Sequence, residues 1–121
     1  MRRLLALALV LGVAAVAAAL VARAHAAAGT SAFRTPDAGA ACRLEANQLV
    51  CSSLGSPGSV ALPQHGGAAV VDRLPWWDAS TPVLHHWSHG ALDCDLTGGT
   101  ILCRNGDTAV SVAASGFAVA G

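Results

Sequence analysis

At 121 residues the chain is long enough for one domain and no more. It has no lysine, and its seven arginines balance seven acidic residues. Beyond residue 26 only Arg34, Arg43, Arg73 and Arg104 remain against all seven carboxylates, four against seven, or −3. That balance offers no phosphate-neutralising surface and excludes nucleic acid as a partner.

The chain begins MRRLLALALVLGVAAVAAALVARAHAAAG. Arg2 and Arg3 precede an unbroken apolar run from Leu4 to Ala22, and small residues then alternate in Ala24-His25-Ala26 and Ala26-Ala27-Ala28. A positive end, an apolar stretch and an A-x-A site in that order predict a signal-peptide helix over residues 1–26, cleaved after Ala26 or Ala28. The run is also about as long as a spanning helix needs. An uncleaved leader would therefore hold the domain at the outer face of the membrane. No cysteine stands at the cleavage region for lipid attachment. The expected location is secreted or otherwise extracytoplasmic, in the cell envelope, with a single domain over 27–121. The absence of lysine and the abundance of alanine and arginine are the codon signature of a GC-rich bacterium.

All four cysteines lie in that domain, where an oxidising compartment favours disulfides. The segment ACRLEANQLVCSS (Ala41 to Ser53) aligns without a gap on DCDLTGGTILCRN (Asp93 to Asn105), an offset of 52 residues (94 minus 42). In both, eight residues separate the cysteines. Threaded as a hairpin with Gly98-Gly99 as a type I′ or II′ turn, the second copy places Thr97 opposite Thr100, Leu96 opposite Ile101, Asp95 opposite Leu102 and Cys94 opposite Cys103. Around Ala46-Asn47, the first copy places Glu45 opposite Gln48, Leu44 opposite Leu49, Arg43 opposite Val50 and Cys42 opposite Cys51. Counting out from the turn, each cysteine pair falls on a non-hydrogen-bonded rung, where the Cα atoms approach most closely and a cross-strand disulfide fits. The expected pairing is Cys42–Cys51 with Cys94–Cys103. A bridge between the copies, Cys42 to Cys94 or Cys103, is the alternative, and the eight-residue gap is not the short ligand spacing of a zinc site. The period of two puts Cys42, Leu44, Leu49 and Cys51 on a buried face and Arg43, Glu45 and Gln48 on a wet one. Cys94, Leu96, Ile101 and Cys103 are sorted in the same way from Asp95, Thr97 and Thr100.

After each hairpin a turn leads into alternating apolar stretches, Ser59 to Leu62 and Ala68 to Val71 in the first half, Ala109 to Val112 and Phe117 to Ala120 in the second. Short β-rich runs punctuated by glycine and proline predict an all-β meander. The expected whole is a small disulfide-bonded sandwich or barrel built from two similar units of three or four strands. The units cover about 33–72 and 85–121, joined by a linker over 73–84. Phe33, in a short lead-in, is expected to pack on the first sheet.

The run FRTPDAGAACRLEANQLVC, with the closing CRNGDTAVSVAASGFAV, resembles small secreted actinobacterial proteins of unknown function. Their chains carry an F-R-[ST]-P segment before a cysteine hairpin and end on a G-F-x-[LV] strand. Phe33, Arg34, Thr35, Pro36, Cys42 and Cys51 match the first element, and Cys103, Gly116, Phe117 and Val119 the second. This chain departs in having Ala38 where a glycine is usual and in lacking the extra cysteines of longer members. The resemblance implies export and a disulfide-bonded β domain, and brings no established activity.

The region around the linker, DRLPWWDASTPVLHHWSHG, holds all three tryptophans and three of the five histidines, and breaks the duplicated pattern. Trp76, Trp77 and Trp87 are candidate ligand-binding residues, an aromatic platform for a sugar ring or peptide; their alternative role is to fill the space between the units. Two adjacent rings in an extended segment cannot both point inward, so one of Trp76 and Trp77 is expected near the surface. His85 and His89, sharing a strand face with Trp87, are candidate metal ligands, with His86, Asp93 and Asp95 nearby. Catalytic arrangements have little support: Glu45 is the only glutamate, G-x-S-x-G is absent, and every cysteine is expected in a disulfide. His65-Gly66-Gly67 reads as a turn. No cofactor is expected. The leading expectation is an exported non-catalytic domain binding an envelope or extracellular ligand, a glycan or a protein, through the Trp/His-rich linker. The alternatives are a metal-dependent or hydrolytic enzyme using His85 and His89, and a purely structural envelope protein.

Overall fold

Short alternating segments separated by tight turns fold into ten antiparallel strands in the computed structural model, which describes residues 30–121; the expected signal peptide lies outside the described residues. β1 (Ala32–Arg34), β2 (Ala40–Glu45), β3 (Gln48–Ser53), β4 (Ser59–Leu62) and β5 (Ala69–Val71) form one sheet in chain order. β6 (His86–His89), β7 (Leu92–Thr97), β8 (Thr100–Arg104), β9 (Ala109–Ala113) and β10 (Gly116–Ala120) form a second with the same order. The fold is all-β, two five-stranded meanders packed as a sandwich. Each unit has five strands rather than three or four. The additional first strand, three residues in β1 and four in β6, precedes the hairpin and is fixed by its pairing rather than by its own pattern.

The cysteine hairpins occupy the centre of each sheet. Cys42 faces Cys51, Arg43 faces Val50, Leu44 faces Leu49 and Glu45 faces Gln48. Cys94 faces Cys103, Asp95 faces Leu102, Leu96 faces Ile101 and Thr97 faces Thr100. Both expected disulfides are formed, with Cα separations of 4.0 and 4.1 Å, the close approach of a non-hydrogen-bonded rung. A bridge between the units is not adopted, although the sulfurs of Cys42, Cys51 and Cys103 lie within 4.8 Å of one another in the core. Each disulfide closes a loop of about ten residues, which chain-entropy reasoning values at roughly 2–3 kcal/mol.

The rung parity continues into the neighbouring strands. Since Cys42 meets Cys51 without backbone hydrogen bonds, its N–H and C=O turn to Phe33 on β1. The Leu44 N–H to Ser31 O bond, two rungs on, obeys the same alternation. In the second unit the residue opposite the first cysteine is Trp87. Phe33 and Trp87 are thus counterparts, and they meet between the sheets with ring centroids 5.3 Å apart and both buried. Leu49, Val60, Leu62, Leu92, Leu96, Ile101, Val110 and Val112 complete the core around the disulfides. Ala38 and Gly90 correspond as well, each four residues before its first cysteine with φ of 58° and 59°. The departure noted at Ala38 therefore falls where the left-handed backbone favours glycine.

The two units also dock reciprocally at their ends. Ser53, two residues after Cys51, donates to the carbonyls of Ala113 and Ala114 in the β9–β10 turn, at 2.6 and 3.1 Å. Asn105, two residues after Cys103, donates to the carbonyls of Pro63 and Gly66 between β4 and β5, both at 2.9 Å. A Cβ at Gly39 or Gly55 would collide with Ala114 or Ser115, so glycine is required there for the turn to seat.

The two hairpin turns are built differently. Ala46 and Asn47 both take positive φ, 47° and 65°, as a type I′ turn demands; at Gly98-Gly99 only Gly98 does, at 60°, the II′ pattern. Ala46 therefore bears a left-handed strain that glycine would relieve. Ala46→Gly is expected to stabilise the protein by about 1 kcal/mol, read as a higher urea midpoint at unchanged slope. A midpoint at or below wild type would contradict this.

Candidate functional site

The period of two leaves each sheet with an outer face, and the two outer faces are not alike. On the second sheet Asp93, Asp95, Thr97, Thr100, Leu102 and Arg104 face outward and at least partly reach solvent, as the alternation predicted. On the first sheet the corresponding face is largely covered. Val50 and Leu102 hold equivalent places in their hairpins, yet Val50 is fully buried and Leu102 is 39% exposed. Ala41, Ser52, Ser59 and Ala61 are buried with Val50. Arg43, Glu45 and Gln48, expected on the wet face, are partly exposed there, while the rest of that face is covered. Its cover comes from residues 72–85, out of reach of any local pattern.

This segment, here called the strap, leaves β5 and crosses the first sheet to the far edge of β1. The Ser59 hydroxyl donates to Arg73 O at 3.4 Å. Arg73 Nε lies 3.4 Å from Glu45 Oε1, and Arg43 Nε lies 2.9 Å from Glu45 Oε2, so one carboxylate joins two guanidinium groups. Arg43 also sets its guanidinium carbon 4.8 Å from the ring centroid of Trp76, a cation–π contact worth about 0.5–1 kcal/mol where solvent reaches it. Trp76 and Trp77 meet edge to face at 5.7 Å, and the Trp77 indole N–H donates to Ala38 O at 2.8 Å. At the β1 edge the Arg34 N–H donates to Pro82 O and the Arg34 side chain to Thr81 O, both at 2.9 Å, and Val83 forms a parallel bridge with Arg34.

Of the three tryptophans, Trp87 is sealed in the core and belongs to β6, while Trp76 and Trp77 are both half-buried on the strap. Neither ring is fully buried, so both keep part of their surface in solvent. Leu74 on the strap is 85% exposed, and Val70 on β5 is 69% exposed. The Trp76 indole N–H is buried and no protein acceptor faces it among the described residues.

The histidines are dispersed. His85 contributes its carbonyl to the Leu96 N–H, outside the ends of β6. His89 stacks on Trp87 at 6.2 Å, and its Nε2 lies 3.1 Å from Asn47 Oδ1. His86 points to the opposite face, with Nε2 2.6 Å from Asp93 Oδ1, and Arg104 binds Asp95 at 2.6 Å and approaches Asp93 at 3.5 Å. Among the described residues the group of three His, Cys, Asp or Glu ligand atoms within 4.8 Å of one another is Cys42, Cys51 and Cys103, all held in disulfides. Among the described residues no such group includes His85 or His89. Sequence reasoning missed the roles of Arg43, Glu45 and Arg73 in seating the strap. Their charges were visible, but the fold alone brings residues 28 positions apart onto one face.

Comparison with protein-family models, with curated proteins and with solved structures returned no match.

The Glu45 carboxyl is held below its ordinary range chiefly by the hydrogen bond from Arg43, against some desolvation, with the charges of Arg43 and Arg73 adding to the effect. Asp37 is lowered by the Thr35 hydroxyl and the Gly39 N–H. A carboxylate depressed in the folded state contributes stability above its unfolded pKa and loses it as pH falls through the folded value. Glu45→Gln is therefore expected to be less stable than wild type at neutral pH, with the difference vanishing on acidification through the carboxylate range. Urea unfolding of both proteins from pH 7 to pH 3 measures this, and a pH-independent difference would contradict it.

Proposed function

We propose that this is an exported, non-catalytic binding domain that engages an envelope or extracellular ligand through the strap, with Trp76 and Trp77 as its aromatic contacts. The observation that carries the reading is the asymmetry between two otherwise matched units. Both sheets have the same order and the same hairpin register, yet only the first is crossed by a segment with no counterpart in the other. The strap carries two half-buried indoles and Arg73, brings them beside Arg43 of β2, and leaves Leu74 exposed. Aromatic rings with arginine are the side chains that most often dominate binding energy.

The chemistry suits a glycan or a protein segment carrying hydrogen-bond acceptors. Arg43 and Arg73 donate, and the indoles supply apolar area. Non-catalytic action fits the fate of the acid–base groups. Glu45 is neutralised by two arginines, and His86 pairs with Asp93 on an open sheet face. Two disulfides fit an oxidising, extracytoplasmic setting.

The test is a pull-down from envelope extract with the oxidised protein, beside Trp76→Ala, supported by tryptophan fluorescence during titration with the recovered partner. Wild type is expected to retain a partner that Trp76→Ala retains at least tenfold less, with fluorescence changing on binding. Equal recovery by the two proteins would overturn the strap as the binding surface.

A further inference from the structure

The rung parity set by the disulfides also decides what each sheet edge offers to solvent, and the four edges differ. On β1 the backbone groups of Ala32 and Arg34 turn outward, and the strap takes those of Arg34 through Pro82 and Val83. On β5 the Val60–Val70 rung leaves only Val70 facing outward. β6 presents His86 and Ser88, beside the His86–Asp93 pair.

β10 is different. Cys103 meets Cys94 without backbone hydrogen bonds, so its backbone groups turn to Val110, and the Asn105 N–H to Thr108 O bond at 3.1 Å confirms the alternation. Val110 and Val112 are therefore bonded to β8, and β9 holds β10 through Ala109, Ser111 and Ala113, opposite Ala120, Ala118 and Gly116. The N–H and C=O groups of both Phe117 and Val119 point away from the sheet. The strand, GFAVA, carries no charge and no proline, and Ala118, Val119 and Ala120 are exposed. It has none of the devices that normally block an edge. Among the described residues no strand lies beyond it.

This edge is complementary to itself. An antiparallel copy related by a twofold axis at Ala118 sets Phe117 opposite the partner's Val119 and Val119 opposite the partner's Phe117. All four outward residues then exchange backbone hydrogen bonds, four in all. Registers shifted to centre on Phe117 or Val119 pair fewer of them. The axis falls on a non-hydrogen-bonded rung with alanine facing alanine, so nothing bulky or charged opposes close approach. On the inner face Val119, 49% exposed, gains an aromatic cross-strand neighbour. We infer that β10 is a dimerisation edge, joining two copies of this chain into one continuous ten-stranded sheet. The inference is independent of the strap, which lies on the other sheet.

Analytical ultracentrifugation of the purified oxidised chain, from micromolar to millimolar, is expected to show a reversible monomer–dimer equilibrium. Val119→Pro removes an N–H that points away from β9, so it is expected to keep the wild-type circular dichroism spectrum and sediment as a monomer. Independently of that variant, Ala118→Cys is expected to cross-link into a disulfide dimer under mild oxidation. Ala120→Cys, placed opposite the partner's Gly116, is expected to remain at least tenfold less cross-linked. A wild-type chain that stays monomeric at millimolar concentration, or equal cross-linking at 118 and 120, would overturn the inference.

Discussion

A disulfide joining directly opposed residues on a non-hydrogen-bonded rung is the constraint from which the rest of this structure follows. It locks hairpin register, because a slip of one residue would carry every side chain to the other face. It locks parity too, since a cysteine bonded sideways through sulfur has its backbone groups free for the strand on its other side. Phe33 and Trp87 are recruited in this way opposite Cys42 and Cys94, and their rings close the middle of the core. The same alternation, followed outward, hands Arg34 to the strap and leaves Phe117 and Val119 facing solvent.

Two nearly equivalent sheets need a rule for what differs between them. The difference lies in residues 72–85, the segment that must return the chain from the edge of one sheet to the start of the other. In crossing the first sheet it removes Val50 from water, where the matching Leu102 stays partly wet. It is anchored along its course, by Arg73 and Glu45, by Arg43 under Trp76, by Trp77 on Ala38, and by the backbone pairing with Arg34. A connection of this kind both stabilises the sheet it covers and brings aromatic and cationic groups together on one surface. That combination is the basis of the proposal that the strap, rather than the duplicated frame, is the binding surface.

The hairpins were legible in the sequence because everything that determines them is local. A two-residue turn, eight intervening residues and alternating polarity admit one register, and that register is the one formed. The edge strands were less legible. Ala32–Arg34 pairs with residues seven to eleven positions ahead across an irregular loop, and three residues are too few to show a period. Trp87 looked like part of the linker because its counterpart is a phenylalanine lying 54 residues back (87 minus 33), not 52. The shared face expected for His85 and His89 was obscured because β6 begins only at His86, and His89 is engaged by Asn47 from the other unit. For the strap, polarity was an incomplete guide. Arg43 and Glu45 keep part of the exposure their polarity implied, but their partners, Trp76 and Arg73, lie far along the chain and left no local sign.

Small domains bury a modest share of their surface, and local covalent closure offsets that shortfall. If each unit carries its own closed hairpin, the bridges must be local. A tryptic digest of the unreduced protein, analysed by mass spectrometry, tests this most directly. Cleavage at the arginines separates residues 35–43, 44–73 and 74–104, which hold Cys42, Cys51 and the Cys94/Cys103 pair respectively. Local pairing requires 35–43 to be joined to 44–73 and 74–104 to be closed on itself. A species joining 74–104 to either of the other two would contradict it.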